Sequence, residues 1–157
     1  MNILETEEEL SKYSSKNYKD NIEIFSFKNQ VHIAKIVDCY DGDTITCVFK
    51  HNGSYFKFKI RMLGYDSPEM KPSKKIPEEE REKIKELAIV AKKRLEELIL
   101  NKNVYIFCDD FEKYGRILGT IKITLDDEKS VNDIMLEEGH GYSYNGGTKK
   151  KSLFKKK

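Results

Sequence analysis

The sequence predicts an α+β fold that is mainly β, namely an OB-type five-stranded Greek-key barrel with flanking helices. Three β-prone runs separated by tight-turn residues occupy the first part of the chain, and a long amphipathic helical segment follows them. Two further β-prone runs and a second, shorter helical segment come after that helix. Three strands, a helix, two strands and a helix is the order expected of a small closed barrel of this type.

The chain ahead of the barrel is polar and acidic. Residues 1–21 carry four glutamates between positions 5 and 9, which predicts a mobile or weakly helical arm. Residues 21–27 alternate polar and apolar side chains, which predicts a short strand on the edge of the domain. We therefore divide the chain into an acidic N-terminal arm (1–21), one folded domain (22–148) and a lysine-rich C-terminal tail (149–157).

The first three barrel strands are predicted from their length and from the turn residues that separate them. The runs 31–39, 44–50 and 54–63 are rich in β-branched and aromatic residues. Asp41-Gly42 separates the first two runs and Asn52-Gly53 separates the second two. Because Asn-Gly between two β-prone runs is a strong hairpin signal, we expect a β-meander of three consecutive strands.

The second half of the domain begins with a helix. Three glutamates at positions 78–80 favour a helix N-terminus after the loop 71–77. Apolar residues then recur at helical spacing and predict one buried face. They are Ile84, Leu87, Ala88, Ala91, Leu95 and Leu98. The runs 104–108 and 117–125 predict two more strands, and Ser130 and Gly139 are suited to cap and to end a helix over 131–138.

Composition excludes several classes of protein. Hydrophobic residues make up 38% and charged residues 36% of the chain, which is typical of one globular domain with an ionised surface. No segment approaches the ~20 apolar residues that span a bilayer, and the acidic N-terminus lacks the apolar core of a secretory signal. Three cysteines without metal-type spacing, Cys39, Cys47 and Cys108, indicate buried reduced thiols. We expect an intracellular monomer that has no membrane partner.

Arginine is rare in this sequence, which makes its positions informative. The chain has four arginines among 29 basic residues. A guanidinium offers a planar, permanently charged fork that suits phosphate, which lysine does not. Arg61 and Arg116 lie beside turn motifs, whereas Arg81 and Arg94 lie in the charged helix. We therefore regard the first two as candidate phosphate ligands.

Two acidic turn motifs flank Arg61. Asp41-Gly42-Asp43-Thr44 lies between the first two strands, and Asp66-Ser67-Pro68-Glu69 follows the third. A strand start and a neighbouring strand end can meet in a barrel, so Asp43 and Asp66 are candidates to hold one hard cation through carboxylate oxygens. Without the ion we expect these carboxylates to repel, so that neutralising one leaves unfolding of the metal-free protein little affected or even makes it harder. Each motif alone also suits an ordinary turn.

The last candidates are basic and aromatic. Lys113-Tyr114-Gly115-Arg116 predicts a close turn that aims a guanidinium into a cleft, or a hairpin with a surface arginine. Tyr142 and Tyr144 would face one side of an extended segment, where they can stack on bases or pack on the core or its rim. The lysine tail either attracts phosphate backbones or keeps the chain soluble.

Taken together, these motifs resemble the staphylococcal nuclease (thermonuclease) family over about residues 31–144. Four motifs carry the resemblance: Asp41-Gly42-Asp43-Thr44, the run 61–69, Lys113-Tyr114-Gly115-Arg116 and Val131-Asn132-Asp133. The resemblance implies calcium-dependent hydrolysis of DNA and RNA that leaves 3′-phosphate ends. It also implies that Asp43 and Asp66 are calcium ligands with the Ser67 backbone carbonyl. Serine stands there where the family often has threonine, a change that a carbonyl ligand survives.

The resemblance further implies roles for the basic, acidic and aromatic residues. Arg61 and Arg116 correspond to phosphate-binding arginines, whose fixed charge stabilises an in-line displacement. Glu69 corresponds to the carboxylate that activates or positions the attacking water. Tyr114 and Tyr142 correspond to nucleotide contacts, and Lys113 lies beside the terminal phosphate.

The sequence therefore favours a metal-dependent phosphodiesterase acting on DNA or RNA, with calcium or another divalent ion as cofactor. The alternatives are a non-catalytic nucleic-acid-binding module of the same fold and a protein-interaction scaffold that uses the acidic arm. A degenerate module has no chemical need for the full set Asp43, Arg61, Asp66, Glu69 and Arg116, so we favour the enzyme.

Overall fold

A computed structural model describes residues 1–143. In chain order the strands are β1 (Val31–Cys39), β2 (Thr44–His51), β3 (Ser54–Met62), β4 (Tyr65–Asp66), β5 (Asn103–Phe111), β6 (Ile117–Lys122) and β7 (Tyr142–Ser143). The helices are α1 (Glu7–Leu10), α2 (Tyr18–Asn21), α3 (Glu78–Ile99) and α4 (Val131–Glu137). Tyr144, the predicted domain end at 148 and the lysine tail lie outside the described residues. No helix within 1–143 is long and apolar enough to cross a membrane.

Five strands close into a barrel in the order β1-β2-β3-β6-β5, with β5 paired back onto β1. All neighbours are antiparallel except β3 and β6, which pair in parallel over three residues. Alternate residues of β2 and β3, including Ile45, Cys47 and Ile60, are fully buried inside the barrel. The predicted five-stranded OB-type barrel is confirmed, and β4 and β7 form a separate two-stranded pair that the sequence did not predict.

The predicted hairpin between β2 and β3 is also confirmed. Asn52 and Gly53 both have positive φ, +48° and +82°, as a two-residue turn of type I′ requires. His51 and Ser54 pair directly across it. This turn fixes the register of β3, because a slip of one residue would exchange its inner and outer faces.

Helix α3 packs against β1 and covers the turn between β1 and β2. A Cβ atom on Gly42 would lie 2.7 Å from the Cβ of Ala91 and 2.8 Å from that of Ser67, so only glycine lets the turn lie this close to the helix. The predicted buried face holds for most positions. Leu87, however, is 41% exposed and Ile99 is buried instead, because the buried stripe is centred on Ala88 and Leu95 and Leu87 lies at its edge.

The predicted strand over 21–27 is wrong. The segment 22–27 is irregular, and Phe27 is its one buried residue. The ring of Phe27 packs edge-on against Phe49 and Phe58 at the end of the barrel. Because the barrel is closed and β1 already pairs with β2 and β5, β1 offers no free edge to another strand. The arm before it contains α1 and α2, four residues each, which agrees with the weak helical character expected.

The C-terminal helix begins and ends where its capping residues predict, and the strand before it is shorter than predicted. Ser130 caps α4 in a reciprocal capping box with Asp133, and Gly139 follows the helix with a φ of +79°. Strand β6 ends at Lys122 rather than 125, because Thr124 and Asp127 bond to each other in a local turn.

The three cysteines are buried and free, as predicted. Burial raises the pKa of Cys39 and of Cys47 to about 12 and that of Cys108 to about 11. All three are therefore protonated thiols near neutral pH and behave as small apolar core residues.

Candidate active site

Two buried carboxylates meet where β2 begins and β4 ends. Asp43 closes the turn after β1, where its amide donates to Oδ1 of Asp41 (3.0 Å) and its carbonyl accepts from the amide of Met62 (2.8 Å). Asp66 is 2% exposed and lies opposite Tyr142 in the β4–β7 pair. The sequence expectation that the two turns meet in space is met by this geometry.

Ser67 joins the two turns directly. Its amide donates to Oδ2 of Asp43 at 2.8 Å, across 24 positions of sequence. The other oxygen of that carboxylate, Oδ1, accepts from the hydroxyl of Thr44 at 3.0 Å. These two donors fix the plane of the Asp43 carboxylate. The Ser67 hydroxyl is buried and has no hydrogen-bond partner among the described residues.

Arg61 bridges the two carboxylates. It enters from β3, opposite Thr44 in the ladder, and its Nη1 lies 3.3 Å from Oδ2 of Asp43. Nη2 pairs with Oδ1 of Asp66. Nη1 also donates to the main-chain carbonyls of Met62 (3.1 Å) and of Tyr65, the residue before Asp66 (2.9 Å). The guanidinium is thus engaged by protein acceptors.

This bridge corrects one expectation from the sequence. The two carboxylates do not face each other unscreened, because one guanidinium lies between them and leaves the cluster with one net negative charge. Removing one member of a buried, hydrogen-bonded charge cluster leaves its partners unpaired and is strongly destabilising. Neutralising Asp43 or Asp66 is therefore expected to weaken the fold, not to leave it unchanged.

The cluster has the donor chemistry that a divalent cation requires. Oδ2 of Asp66 is buried and has no hydrogen-bond partner among the described residues. An unsatisfied carboxylate oxygen beside a second carboxylate suits a hard cation, which takes carboxylates, main-chain carbonyls and water as ligands. No group of three or more His, Cys, Asp or Glu side chains in residues 1–143 is arranged to hold a metal. A cation here would accordingly take its remaining ligands from main-chain oxygens and water.

Asp41 is a third carboxylate at this site, which the sequence indicated only as a turn residue. Burial, followed by the charge of Asp43, raises the pKa of the Asp41 carboxyl to about 7. Its Oδ1 accepts the amide of Asp43. Two aspartates separated by one glycine were the available signal, because their carboxylates must share one short turn.

Arg116 approaches the cluster from the β5–β6 turn. Its Nη1 donates to the Thr44 hydroxyl at 3.2 Å, and that hydroxyl bonds Asp43. Gly115, with a φ of +82°, makes the tight turn that returns the chain to β6. Arg116 and Arg61 therefore both lie next to Thr44.

Glu112 holds Arg116 in place, and the sequence did not single it out. Its Oε1 accepts from Nε of Arg116 at 3.1 Å and its Oε2 from Nη2 at 3.2 Å. The same carboxylate accepts the main-chain amides of Tyr114 and Arg116. These bonds to Glu112 raise the pKa of Arg116. An acidic residue four positions before an arginine in a hairpin was the available signal.

The other predicted site residues differ in accessibility. Tyr114 is 73% exposed, with Nζ of Lys113 at 4.9 Å from its ring centroid and Cζ of Arg116 at 5.8 Å. Glu69 is exposed just after the buried Pro68. Tyr142, by contrast, is 5% exposed. Its ring is therefore placed to pack beside Asp66 and has little surface on which a base can stack.

Two further residues brace the site. The Tyr65 hydroxyl donates to the carbonyl of Gly42 at 2.6 Å and ties β4 to the first turn. The Asn132 side chain on α4 donates to the carbonyls of Leu63 (2.8 Å) and Gly119 (3.0 Å). Asn132 thus links α4 to the end of β3 and to β6, which explains its place in the motif 131–133.

Comparison with known proteins agrees with this geometry. The profile of the family described as "Staphylococcal nuclease homologue" matches residues 59–156, which is more than half of the 157-residue chain. A protein of Haemophilus influenzae named "Uncharacterized endonuclease" is 28% identical over 117 residues, covering 74% of this chain and 53% of that protein. The chain spans about half the length of this curated relative. By the family match, the chain belongs to the staphylococcal nuclease homologues.

Proposed function

We propose that this protein is a divalent-metal-dependent nuclease that hydrolyses phosphodiester bonds of DNA or RNA. The observation that carries the proposal is the buried Asp43–Arg61–Asp66 cluster, with Arg116 joined to it through Thr44. Burying three charges costs several kcal/mol for each ion before pairing, which a barrel of this size does not need for stability alone. Family membership and the printed name of the Haemophilus influenzae relative support the same reaction class.

Asp43 and Asp66 are the proposed metal ligands, with the Ser67 carbonyl as a third. Calcium is the proposed ion, because it accepts mixed carboxylate, carbonyl and water ligands, and another divalent ion is the alternative. When bound, such an ion supplies positive charge for the phosphate oxygens and helps to orient water. The buried Oδ2 of Asp66, which lacks a hydrogen-bond donor, is the protein atom that most directly supports this assignment.

The two arginines have distinct proposed parts. The Arg116 side chain is 27% exposed, and Glu112 orients it, so its guanidinium is available to a phosphate at the protein surface. Arg61 lies deeper and keeps the carboxylates in place while its fork faces the same site. Fixed cationic donors of this kind stabilise the charge that develops on the equatorial phosphate oxygens.

Glu69 is the proposed general base or water-positioning group. It follows Asp66 by three residues across Pro68, and it is an exposed residue that solvent water can reach. Glu69 accepts a proton from the water as the water oxygen bonds to phosphorus, and the bond between phosphorus and the 5′ oxygen breaks. The 5′ oxygen takes a proton from solvent, so the products are a 3′-phosphate end and a 5′-hydroxyl end. Tyr114 and Lys113 are exposed in the turn beside Arg116, where they are placed to contact a nucleotide.

A digestion assay tests this proposal. Plasmid and single-stranded homopolymer substrates are incubated with the purified protein in calcium, magnesium or chelator. We expect cleavage with calcium and none with chelator. The 3′ ends should resist extension by a polymerase until a phosphatase has treated them. Equal cleavage in chelator would refute metal dependence, and immediately extendable ends would refute the 3′-phosphate product.

One observation favours a second candidate, a non-catalytic nucleic-acid-binding module. Arg61 already has acceptors from two carboxylates and two carbonyls, so it needs no phosphate to satisfy its hydrogen bonds. This candidate predicts nucleic-acid binding in chelator and no cleavage with any divalent ion. The same digestion assay, combined with a binding titration, separates the two functions.

A further inference from the structure

The outer face of the β2–β3 hairpin continues away from the candidate active site. Residues paired across an antiparallel ladder share a face, and the inner face is identified by buried Ile45 and Ile60. The other alternate residues therefore point outward. From the site to the turn, the outward pairs are Thr44–Arg61, Thr46–Lys59, Val48–Lys57 and Lys50–Tyr55.

This face is basic. Lys50, Lys57 and Lys59 are exposed, and the eight outward residues include no carboxylate. Within residues 1–143, Lys57 and Lys59 form no salt bridge. Of the β1 residues that pair with this part of β2, Asp38 opposite Thr46 is acidic and Lys35 opposite Val48 is basic. Lys57 and Lys59 thus carry positive charge on the hairpin face that no carboxylate among residues 1–143 pairs with.

The face also has an aromatic side chain and a regular spacing. Tyr55 is 71% exposed, and Nζ of Lys50 lies 5.8 Å from its ring centroid. Alternate residues of a strand are about 6.7 Å apart, so the row from Arg61 to Tyr55 extends for roughly 20 Å. A row of cations with an exposed ring is the arrangement that holds a single strand, because phosphates pair with the cations and an unpaired base stacks on the ring.

We propose that this β3 strip, defined as Lys59, Lys57 and Tyr55 with Lys50 beside them, binds single-stranded nucleic acid that extends beyond the cleavage site. The proposal rests on the proposed function for the identity of the site at the Arg61 end. Binding along the strip requires no hydrolysis. Because the lysines contact phosphate and the ring contacts any base, the strip favours longer single strands over short ones without reading their sequence.

The test compares salt-dependent binding of matched variants in chelator, so that no hydrolysis occurs. Lys57→Gln/Lys59→Gln removes two strip charges, and Lys83→Gln/Lys93→Gln removes two exposed charges from α3 as the control. Each protein is titrated with a labelled 12-nucleotide homopolymer over a tenfold range of salt. The strip variant should flatten the slope of log affinity against log salt by about 1.4, or roughly 25-fold over that range. The control variant should follow the wild type.

A second pair of variants tests the stacking part of the proposal. Tyr55→Ala should lower affinity for the single strand by roughly 5-fold or more. The loss should be the same at every salt concentration, because stacking of a base on a ring releases no counterions. Tyr13→Ala, in the N-terminal arm, is the matched control and should bind like the wild type. Thermal unfolding of all four variants verifies that they remain folded, as expected for exposed side chains.

Three outcomes would overturn the proposal that the β3 strip binds single strands. They are an unchanged slope in Lys57→Gln/Lys59→Gln, the same flattening in the α3 control, or wild-type affinity for the single strand in Tyr55→Ala. Failure of the proposed function looks different. A wild-type protein that binds as expected but cleaves nothing with any divalent ion removes the nuclease proposal and leaves the strip in place.

Discussion

At the scale of single residues, the positive charge of Arg61 keeps the two buried carboxylates of the site together. Its guanidinium pairs with Asp43 and with Asp66, both buried, and bonds two main-chain carbonyls. The sequence correctly singled out this arginine because it is rare and lies between two acidic turns. That Arg61 bridges both carboxylates was not predicted, because its setting in the sequence indicated a phosphate ligand.

Arg61→Gln should therefore destabilise the metal-free protein by about 3–5 kcal/mol, the usual effect of removing one partner from a buried charge cluster. Added calcium should recover more unfolding free energy in the variant than in the wild type, since the ion can replace the lost positive charge. Urea unfolding in chelator and in calcium measures both effects. Equal unfolding free energies for the two proteins in chelator would show that the bridge is not formed in solution.

Glu69→Gln separates chemistry from binding at the same scale. The substitution preserves size and removes the proton acceptor, so the cleavage rate should fall by at least ~10²-fold while nucleic-acid affinity stays close to that of the wild type. Rates under saturating calcium and substrate are compared with those of Glu79→Gln, an exposed glutamate on α3. Normal turnover in Glu69→Gln would exclude this residue as the base.

At the scale of elements, the sequence predicted long, periodic segments better than short or irregular ones. Strand β1 and the start of α3 match their predicted bounds, because periodicity and capping residues specify them locally. Strands β4 and β7 have two residues each, too few to give a pattern, so the pairing of Tyr142 with Asp66 was not predictable. Packing of Tyr142 on the core or its rim was one of the two predicted alternatives, and its burial agrees with that alternative. The segment 22–27 alternates like a strand, but the closed barrel has no free edge to pair with it.

The aromatic end of the barrel should make stability depend on pH. His32 stacks on Phe49 with ring centroids 4.1 Å apart, and burial, followed by the charge of His51, lowers the pKa of His32. The unfolded chain therefore binds a proton at higher pH than the folded chain does, and His32 destabilises the fold as pH falls below its usual pKa of about 6.5. Asp41 acts in the opposite direction, because its pKa in the folded protein is raised to about 7.

The difference between wild type and His32→Gln isolates the histidine. The free energy of urea unfolding of both proteins is measured from pH 7.5 to pH 5, where Asp41 contributes equally to each. The wild type should lose stability relative to the variant as pH falls through this range. Parallel pH profiles for the two proteins would show that His32 titrates identically in the folded and unfolded states.

At the scale of the whole molecule, the site residues come from four separate segments that the barrel brings together. The turn before β2 supplies Asp43, β3 supplies Arg61, β4 supplies Asp66 and the turn before β6 supplies Arg116. Their meeting was foreseeable from the predicted barrel, which closes distant turns onto one end. The roles of Asp41 and Glu112 were not, because each acts through a neighbouring site residue that only the folded structure identifies.

The central claim is that Asp43 and Asp66 hold a divalent ion on which cleavage depends. Its most direct test is a calcium titration of wild type, Asp43→Asn and the control Asp126→Asn, an exposed aspartate, with binding heat and DNA cleavage measured in parallel. We predict that wild type and control bind calcium and reach half-maximal cleavage together. Folded Asp43→Asn should need at least about tenfold more calcium for both, since it loses a charged ligand. Superimposable titrations for the three proteins would contradict the claim.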